Sequence, residues 1–557
     1  MSLPKSSDWT IPEETAHVAR AAFPKGCPVM RVRDELGVLY DDQDCAALFA
    51  TRGQPAESPG RLLLILVLQF MEGLTDRQAA DAVRGRIDWK YALGLALTDP
   101  GFDYSVLSEF RTRMITADAV DQVLDRVLIR CQECGVLRAR GKQRTDSTHV
   151  LAAIRTVNRL ECVGEAMAYT LHSLLQVDPA WVRATLPADW LVRYGIRFDD
   201  FRLPREPTKR QALAETIGVD GLALLHTLLA PETPAHLRVE PAVDVLRRIW
   251  LQQYWTDNGT VRWRQEADLP PTALLIVSPY DPDARFGIKR DIRWTGYKVH
   301  LTETCDAETP NLITHVATTP ATTADVDVTA TLHRHLAERD LAPREHLVDT
   351  GYVDAELIVT SRAAHQMELL GPVLPDTSWQ ARAGQGFDIA CFHVDWDARQ
   401  VTCPRGRQSR SWRPGHDPDG QAIVHVWFDQ ADCAACAVRP QCTKAATRPR
   451  TMKLRPQAQH EALQAARQQQ TTEAFKSRYA QRAGVEGTIA QGVRRCDLRQ
   501  ARYRGLAKTH LQHVLTAVAM NLMRLLAWWE ERPKAQTRHS RFTAVLQAAV
   551  SPAMAYT

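Results

Sequence analysis

Three carboxylates set out the chemistry this chain could do. Asp146 falls inside GKQRTDSTHV (141–150), a short strand pattern. Asp349 ends HLVD (346–349), a short apolar strand closed by the turn residues Thr350 and Gly351. Glu486 lies on a helical stretch near the far end of the chain. Among 65 Asp and Glu residues, three chosen at will carry little meaning, and the plainer reading of any one of them is a surface acid or a helix cap. Placement is what raises these three. Acids gathered from a strand, a strand end and a helix onto one sheet edge can hold two divalent cations. Such ions activate a water or a 3′-hydroxyl and stabilise the leaving oxygen of a phosphodiester. Hard oxygen donors suit Mg²⁺, or Mn²⁺, as the pair of ions.

The stretch around Glu486 adds to this. Tyr479, Arg482 and Glu486 stand at i, i+3 and i+7. On one helix, at about 100° per residue, they fall within about 60° of a single face. A metal-binding acid, a phosphate-binding Arg and a ring for a base or sugar would then project together. The plainer reading is a solvated helix face with an Arg–Glu pair. Gly484 and Gly487 each cost a helix about 1 kcal/mol, which is reasonable where something bulky approaches the backbone.

Basic residues cluster nearby. Residues 494–508 hold six Lys or Arg against one Asp, with Arg494, Arg495, Arg502, Arg504 and Lys508 as candidate DNA contacts. Residues 433–460 hold six Lys or Arg and no acid. Arg285, Lys289, Arg290, Arg293 and Lys298 form a third stretch, with Lys298 a further candidate contact. Basic patches beside a metal-dependent site are what a polyanionic substrate requires. Cys403, Cys433, Cys436 and Cys442 form C-x29-C-x2-C-x5-C, four soft ligands that suit a structural Zn²⁺. Cys391, His393 and His425 are alternative ligands. Cys131 and Cys134 read as ordinary thiols. No P-loop, HExxH or dinucleotide fingerprint is present.

The elements that must position these groups follow from periodicity. Residues 1–45 read as a weakly patterned leader. Residues 46–115 read as an all-helical module of the helix-turn-helix kind, with Thr75 and Gln78 spaced for a capping box and Ser105 capping a helix over 106–114. A connecting helix occupies 116–140. The catalytic unit, 141–530, is an α/β domain with a mixed sheet. It carries a large helical insertion (151–285) and a Cys-rich insertion (376–455). Tyr297, Val299 and Leu301 alternate with Lys298, His300 and Thr302, the period of a half-buried strand. Further strands are expected near 311–317 and 367–374, with helices over 325–339 and 355–364. Residues 531–557 form a tail without strong pattern.

Composition fits a soluble, multi-part protein. The 557 residues are too many for one ordinary core, and a net charge of +4 is small for that length, so local rather than overall charge marks the partner. The N-terminal segment lacks the apolar region of a signal peptide, and the run 62–71 is too short to span a bilayer. The helix 511–529 carries Gln512, His513, Asn521 and Arg524, as a packed amphipathic helix would. No membrane association and a cytoplasmic location are therefore expected, with the twelve cysteines as thiols or metal ligands.

Several long segments together resemble the DDE transposases of insertion sequences, most closely the IS eleven-eighty-two group, related to the IS four and IS five transposases. They are EGLTDRQAADAVRGRIDWKYALGL and DPGFDYSVLSEFRTRM near the start. RTDSTHVL, SPYDPDAR, WTGYKVHLTETCD, LITHVATTPATTADV and HLVDTGYVDAELIV follow in the core. YAQRAGVEGTIAQGVRRC and RYRGLAKTHLQHVLTAVAMNL close the series. The resemblance, over about 46–530, implies a ribonuclease-H-like core with Asp146, Asp349 and Glu486 as the DDE acids, and Tyr479 and Arg482 from a Tyr–Arg–Glu signature. It implies a bacterial, nucleoid-associated enzyme that binds terminal inverted repeats and target DNA, cuts and joins strands, and works as a homodimer on two ends. One departure stands out: the related signature has a Lys seven residues after the Glu, where this chain has Val493, followed by Arg494 and Arg495. Two other readings share the residues: a nuclease that cuts without joining, and a catalytically silent DNA-binding repressor.

Overall fold

The fold was analysed in a computed structural model that describes residues 2–3, 8–289, 291–384 and 386–533. Arg290 of the third basic stretch and the tail 534–557 lie outside the described residues.

The centre is a mixed sheet of β1 (Lys142–Leu151), β2 (Arg285–Lys289), β3 (Ile292–Thr304), β4 (Ile313–Pro320), β5 (Glu345–Leu347) and β6 (Glu368–Leu370). β1 lies between β3, which runs antiparallel to it, and β5, which runs parallel. β6 extends the sheet parallel to β5, and β4 pairs antiparallel with the other edge of β3. β2 folds back on the start of β3 as a hairpin. The long crossovers between parallel strands carry the helices Asp325–Glu338 and Ala355–His365.

The strand β3 departs from the expected half-burial. Tyr297, Val299 and Leu301 are buried, but so are His300 and Thr302, each at 0% exposure. A strand on each edge and cover on both faces leave no solvent side. His300 instead shares hydrogen bonds with the Tyr352 hydroxyl (2.7 Å) and Thr319 Oγ1 (3.1 Å).

Helix Leu506–Trp529 packs on β4 and is buried along most of its length, as expected of a packed helix. Its polar residues find partners inside the fold, and two of them serve otherwise unpaired backbone. Asn521 accepts from Ile313 N–H (2.7 Å) and donates to the Ile313 carbonyl (2.8 Å). Gln512 accepts from Arg502 N–H and donates to the Gln500 carbonyl.

The N-terminal helices are built onto this centre. Pro59–Glu72 packs on Leu506–Trp529, and one apolar core runs from Leu62, Leu66, Phe70 and Val123 through Val299 and Leu301 to Val514 and Met520. Thr75 and Gln78 form the expected reciprocal capping box at the start of Asp76–Gly85. Ser105 does not cap: it is the first residue of Ser105–Thr116, and its N–H is held by Asp103. The stretch read as a weakly patterned leader contains helices Glu13–Ala22 and Pro28–Leu36, both packed on Ile87–Leu93.

The segment 151–285 has its own core of Val163, Met167, Leu174, Ile217, Leu224, Leu246 and Ile249 among helices, and a hairpin (Tyr254–Asp257, Thr260–Trp263) that periodicity did not disclose. Its helix Pro207–Leu229 is long and apolar enough to cross a membrane by length and composition, with 33% of its most apolar window buried. Residues 376–455 form small antiparallel sheets over Phe392, Val401, Val426, Phe428, Met452 and Leu454.

Candidate active site

Sheet register decides where the first two acids meet. Gln143 and Arg144 of β1 stand opposite His346 and Leu347 of β5 in parallel register. Two residues further along each strand are Asp146 and Asp349, side by side at the sheet's carboxyl end. Asp146 is 9% exposed, and its Oδ1 accepts from Ser147 N–H at 2.8 Å. Burial raises its carboxyl above the usual range, opposed by the Arg482 guanidinium and reinforced by Asp349. Asp349 caps the turn Thr350–Tyr352 by accepting from Gly351 N–H at 2.8 Å.

The third acid arrives from a segment that is not one continuous helix. Helix Glu473–Ala480 carries Tyr479, a 3₁₀ turn Gln481–Ala483 carries Arg482, and helix Gly484–Cys496 carries Glu486 in its first turn. The break does not part the three residues: Arg482 reaches Glu486, and the Tyr479 hydroxyl lies within the influence of Arg482 and of all three acids. The half-buried Tyr479 ring stacks on Phe475 at 5.5 Å between ring centroids and packs towards Leu347 and Leu370. Arg482 turns to the acids. Its Nη2 lies 2.7 Å from Asp146 Oδ2 and 3.7 Å from Asp349 Oδ2, and its Nη1 lies 3.6 Å from Glu486 Oε1. One guanidinium thus joins all three carboxylates. The Glu486 side chain is 70% exposed, facing an open cleft.

A buried ion network fixes the Glu486 helix to the sheet. Glu303 of β3, with no exposed side-chain surface, accepts from Arg144 Nε (2.7 Å), Thr488 Oγ1 (2.6 Å) and Arg524 Nη1 (2.7 Å). Arg144 also donates to the Gln481 carbonyl. Gly484 leaves room here for the Arg144 guanidinium, which a Cβ would push off the position fixed by Glu303 and the Gln481 carbonyl. Gly487, by contrast, has nothing within 4 Å of where its Cβ would stand.

The acids lie in a cleft of about 700 Å³ shared with His149, Lys289, Ile292, Arg494 and Arg499. Arg494 and Arg495 are exposed at the end of the helix, where the C-terminal dipole favours cations. Lys508 is exposed at the start of Leu506–Trp529, and Arg504 is exposed over the Tyr280 ring at 5.2 Å. Two expected contacts are engaged elsewhere. Lys298 is paired with Asp325 (3.1 Å) and donates to the Thr323 carbonyl (2.7 Å). Arg502 lies over Phe70 (4.7 Å) and donates to the Leu74 carbonyl, tying the N-terminal helices to the centre. Sequence reasoning missed Asp325, a fourth acid beside Asp349 that Lys298 neutralises, and His149 and Arg499. Arg499 sat within a basic stretch, but only tertiary structure singles it out. Nothing local marks Asp325.

The four cysteines Cys403, Cys433, Cys436 and Cys442 line one cavity of about 280 Å³. Burial pushes the Cys442 thiol up, Arg450 opposes this, and the other three thiols add to the rise. Cys131 is a buried thiol pushed up to about 12. Among the described residues, no group of three or more His, Cys, Asp or Glu side chains is closed up around a metal position, at the acids or at the cysteines.

Residues 402–526 match the family described as a transposase DDE domain, and residues 18–113 match a transposase domain (DUF772). Glu486 lies within the first match; Asp146 and Asp349 lie outside both. No curated protein matches the chain. Two separate parts of the chain are therefore similar to domains of transposases.

Proposed function

We propose that this protein is an insertion-sequence DNA transposase of the IS eleven-eighty-two kind, with Asp146, Asp349 and Glu486 as the acids of a ribonuclease-H-like core. The observation that carries the reading is the convergence of these three carboxylates, from two adjacent parallel strands and a helix, on one open cleft lined by cations. The strand order β4–β3–β1–β5–β6, with β3 antiparallel and β5 parallel to β1, supports the fold assignment. Both matched families are of transposases, which act on DNA and as a class use divalent metals such as Mg²⁺.

The donor set fits hard cations: three carboxylates surround a position already satisfied by one positive charge, that of Arg482. Asp146, Asp349 and Glu486 would hold two Mg²⁺, or Mn²⁺, which when bound activate the attacking oxygen and stabilise the leaving one. The chain's own cations do the rest. Arg494 and Arg499 flank the cleft and would seat the phosphates on either side of the scissile bond, and Arg495, Arg504 and Lys508 would extend that track along the duplex. Arg482 would exchange its acids for a phosphate once metal is bound. Asp146, held by Ser147 N–H, and Asp349, held by Gly351 N–H, keep fixed orientations through this exchange. The N-terminal helices would recognise the terminal inverted repeats, two chains would synapse two ends, and the four cysteines would hold one structural zinc.

Mg²⁺-dependent nicking of duplexes made from the inverted repeats flanking the gene tests the reading. A labelled target should then receive the freed 3′-hydroxyl. Asp146→Asn, Asp349→Asn or Glu486→Gln should each lower nicking on the order of a thousandfold, since metal stabilisation is worth several kcal/mol and each 1.36 kcal/mol is tenfold. Binding in Ca²⁺ should persist. Asp354→Asn should keep activity, because Asp354 caps a helix by accepting from Leu357 N–H, which Asn also does. Nicking without strand transfer would favour the nuclease; wild-type rates in the acid variants would reject the site.

A further inference from the structure

The hairpin of β2 and β3 presents a surface that the three acids do not account for. Its strands pair over five positions, from Arg285↔Gly296 to Lys289↔Ile292. The base is held rigidly. Trp294 is 4% exposed, donates from Nε1 to the Tyr297 carbonyl at 3.0 Å, and meets the His149 ring at 5.6 Å. Gly287 allows this: a Cβ there would stand 2.8 Å from the Trp294 ring and 2.9 Å from Ala321.

The far end is different. Ile288 is 60% exposed and Ile292 51% exposed. Cross-strand partners share a face, and both partners here are cations: Ile288 stands opposite Arg293, and Ile292 opposite Lys289. Ile292 and Lys289 line the same cleft as Asp146, Asp349 and Glu486, together with Asp291 of the turn and the cations Arg494 and Arg499, which outweigh that one acid. In the free chain each of these isoleucines keeps more than half of its surface in solvent, although a Thr would serve the strand as well. A partner that satisfies both features must be anionic outside and apolar between its charges. Stacked bases between phosphates have that character; an acidic peptide offers the charge without the flat apolar faces.

We propose that this hairpin end is a duplex wedge, in which Ile292 on the cleft face enters between base pairs beside the phosphodiester bound at the three acids, with Ile288 on the hairpin's other face against the displaced side of the step, while Lys289 and Arg293, one on each face, hold the flanking phosphates. This rests on the DNA-transposase reading above. It answers a geometric need, because Asp146 lies at the cleft floor and a straight duplex presents its phosphates on a convex surface. Isoleucine is among the side chains that unstack a base step and kink the helix axis. Unstacking at the cut site would free the strand to descend to the acids. Ile292 is then a positioning residue that acts through the shape of the substrate.

The test uses the full chain with Ile292→Thr, which keeps the β-branched side chain, and Ile288→Thr/Ile292→Thr. Substrates are end duplexes, fully paired or with two mismatches beside the cut, and one carries 2-aminopurine at that step. With saturating protein in Ca²⁺, the wild type should raise 2-aminopurine fluorescence. The double variant should bind within about threefold of wild type yet leave the fluorescence low. Its Mg²⁺-dependent nicking should fall by about tenfold or more on the paired duplex and by under about threefold on the mismatched one, where unpairing is already done. Ile292→Leu should behave as wild type. Equal fluorescence and an unchanged paired-to-mismatched ratio in both Thr variants would overturn the wedge while leaving the transposase reading intact. So would a change confined to self-association of the DNA-free chain in sedimentation, which would make the tip a contact between copies. A wild type that neither binds nor nicks the end duplex would overturn both.

Discussion

Arg482 Nη2 stands 2.7 Å from Asp146 Oδ2, so a residue expected to face DNA serves, in the free chain, as the counter-ion of a candidate catalytic acid. The pair sits where burial penalises an uncompensated carboxylate. Arg482→Gln should therefore destabilise the metal-free chain by about 1–3 kcal/mol, and Ca²⁺ should recover most of that loss. Differential scanning calorimetry with and without Ca²⁺ reads it. An equal Ca²⁺ response in wild type and variant would show that Arg482 is not standing in for a cation.

The two glycines near Glu486 should behave oppositely. Gly484→Ala must displace Arg144 or the first turn of the helix, and Arg144 is tied to Glu303 and Gln481. Since about 1 Å of misplacement costs on the order of a hundredfold in rate, nicking should fall steeply and stability with it. Gly487→Ala meets nothing and should stabilise the helix by up to about 1 kcal/mol. Urea unfolding and nicking rates, measured on both, check the contrast. If Gly484→Ala is silent, the Arg144 contact does not position Glu486.

Zinc in the Cys-rich unit predicts roughly one zinc per chain by elemental analysis under non-chelating conditions. Cys433→Ser/Cys436→Ser should lose it and become protease-sensitive within 376–455, because thiolate–zinc bonds contribute folding energy to so small a core. Less than about 0.2 zinc per chain in the wild type would remove the metal from this cavity.

Acid should destabilise the metal-free chain through its buried histidines. Burial lowers His300 and His333 to about 4 and His513 to about 3, and holds His315 and His346 well below the ordinary value. The unfolded chain takes up these protons near 6.5, so the stability they confer is complete above that pH and lost as pH falls towards 4 and 3. Each adds a slope of about 1.4 kcal/mol per pH unit. Asp146, Glu57 and Asp125 act oppositely, their raised carboxyls favouring the folded chain at acid pH, but they are three groups against five. Calorimetry from pH 7.5 to 5 should show Tm falling by roughly 5 °C or more; a flat profile would contradict the buried, neutral assignments.

Deleting residues up to 115 is a poor way to ask what the N-terminal helices recognise. Leu62, Leu66 and Phe70 share a core with Val514 and Met520, so truncation would expose helix Leu506–Trp529. Substitutions on exposed positions of Asp76–Gly85, such as Arg77 and Arg84, leave that core untouched.

Much was legible in the sequence because it is local. Strand β1 with Asp146 inside it, the Thr75–Gln78 capping box, the helix Asp325–Glu338 and the order of strands and helices all follow from periodicity and turn residues within a few positions. The three acids could be proposed because the motifs that carry them resemble those of a known family; spacing alone did not single them out among 65 acids. What the sequence could not hold is everything set by register and by partners far along the chain. Asp146 meets Asp349 only because β1 and β5 pair in parallel at Arg144↔Leu347. The half-buried reading of β3 failed because alternation reports side-chain chemistry, whereas burial depends on how many neighbours cover each face; His300 and Thr302 found hydrogen-bond partners inside. Tyr479, Arg482 and Glu486 stay near one another across a 3₁₀ turn, but that Arg482 is spent on the acids is set by the fold. Lys298 and Arg502 looked like surface cations until Asp325 and Phe70 were brought to them across 27 and 432 residues respectively (325 − 298 and 502 − 70). Short-range spacing fixes element type and candidate chemistry. Which charge neutralises which is a property of long-range packing, where a Coulomb energy depends on a distance in space that no count along the chain supplies.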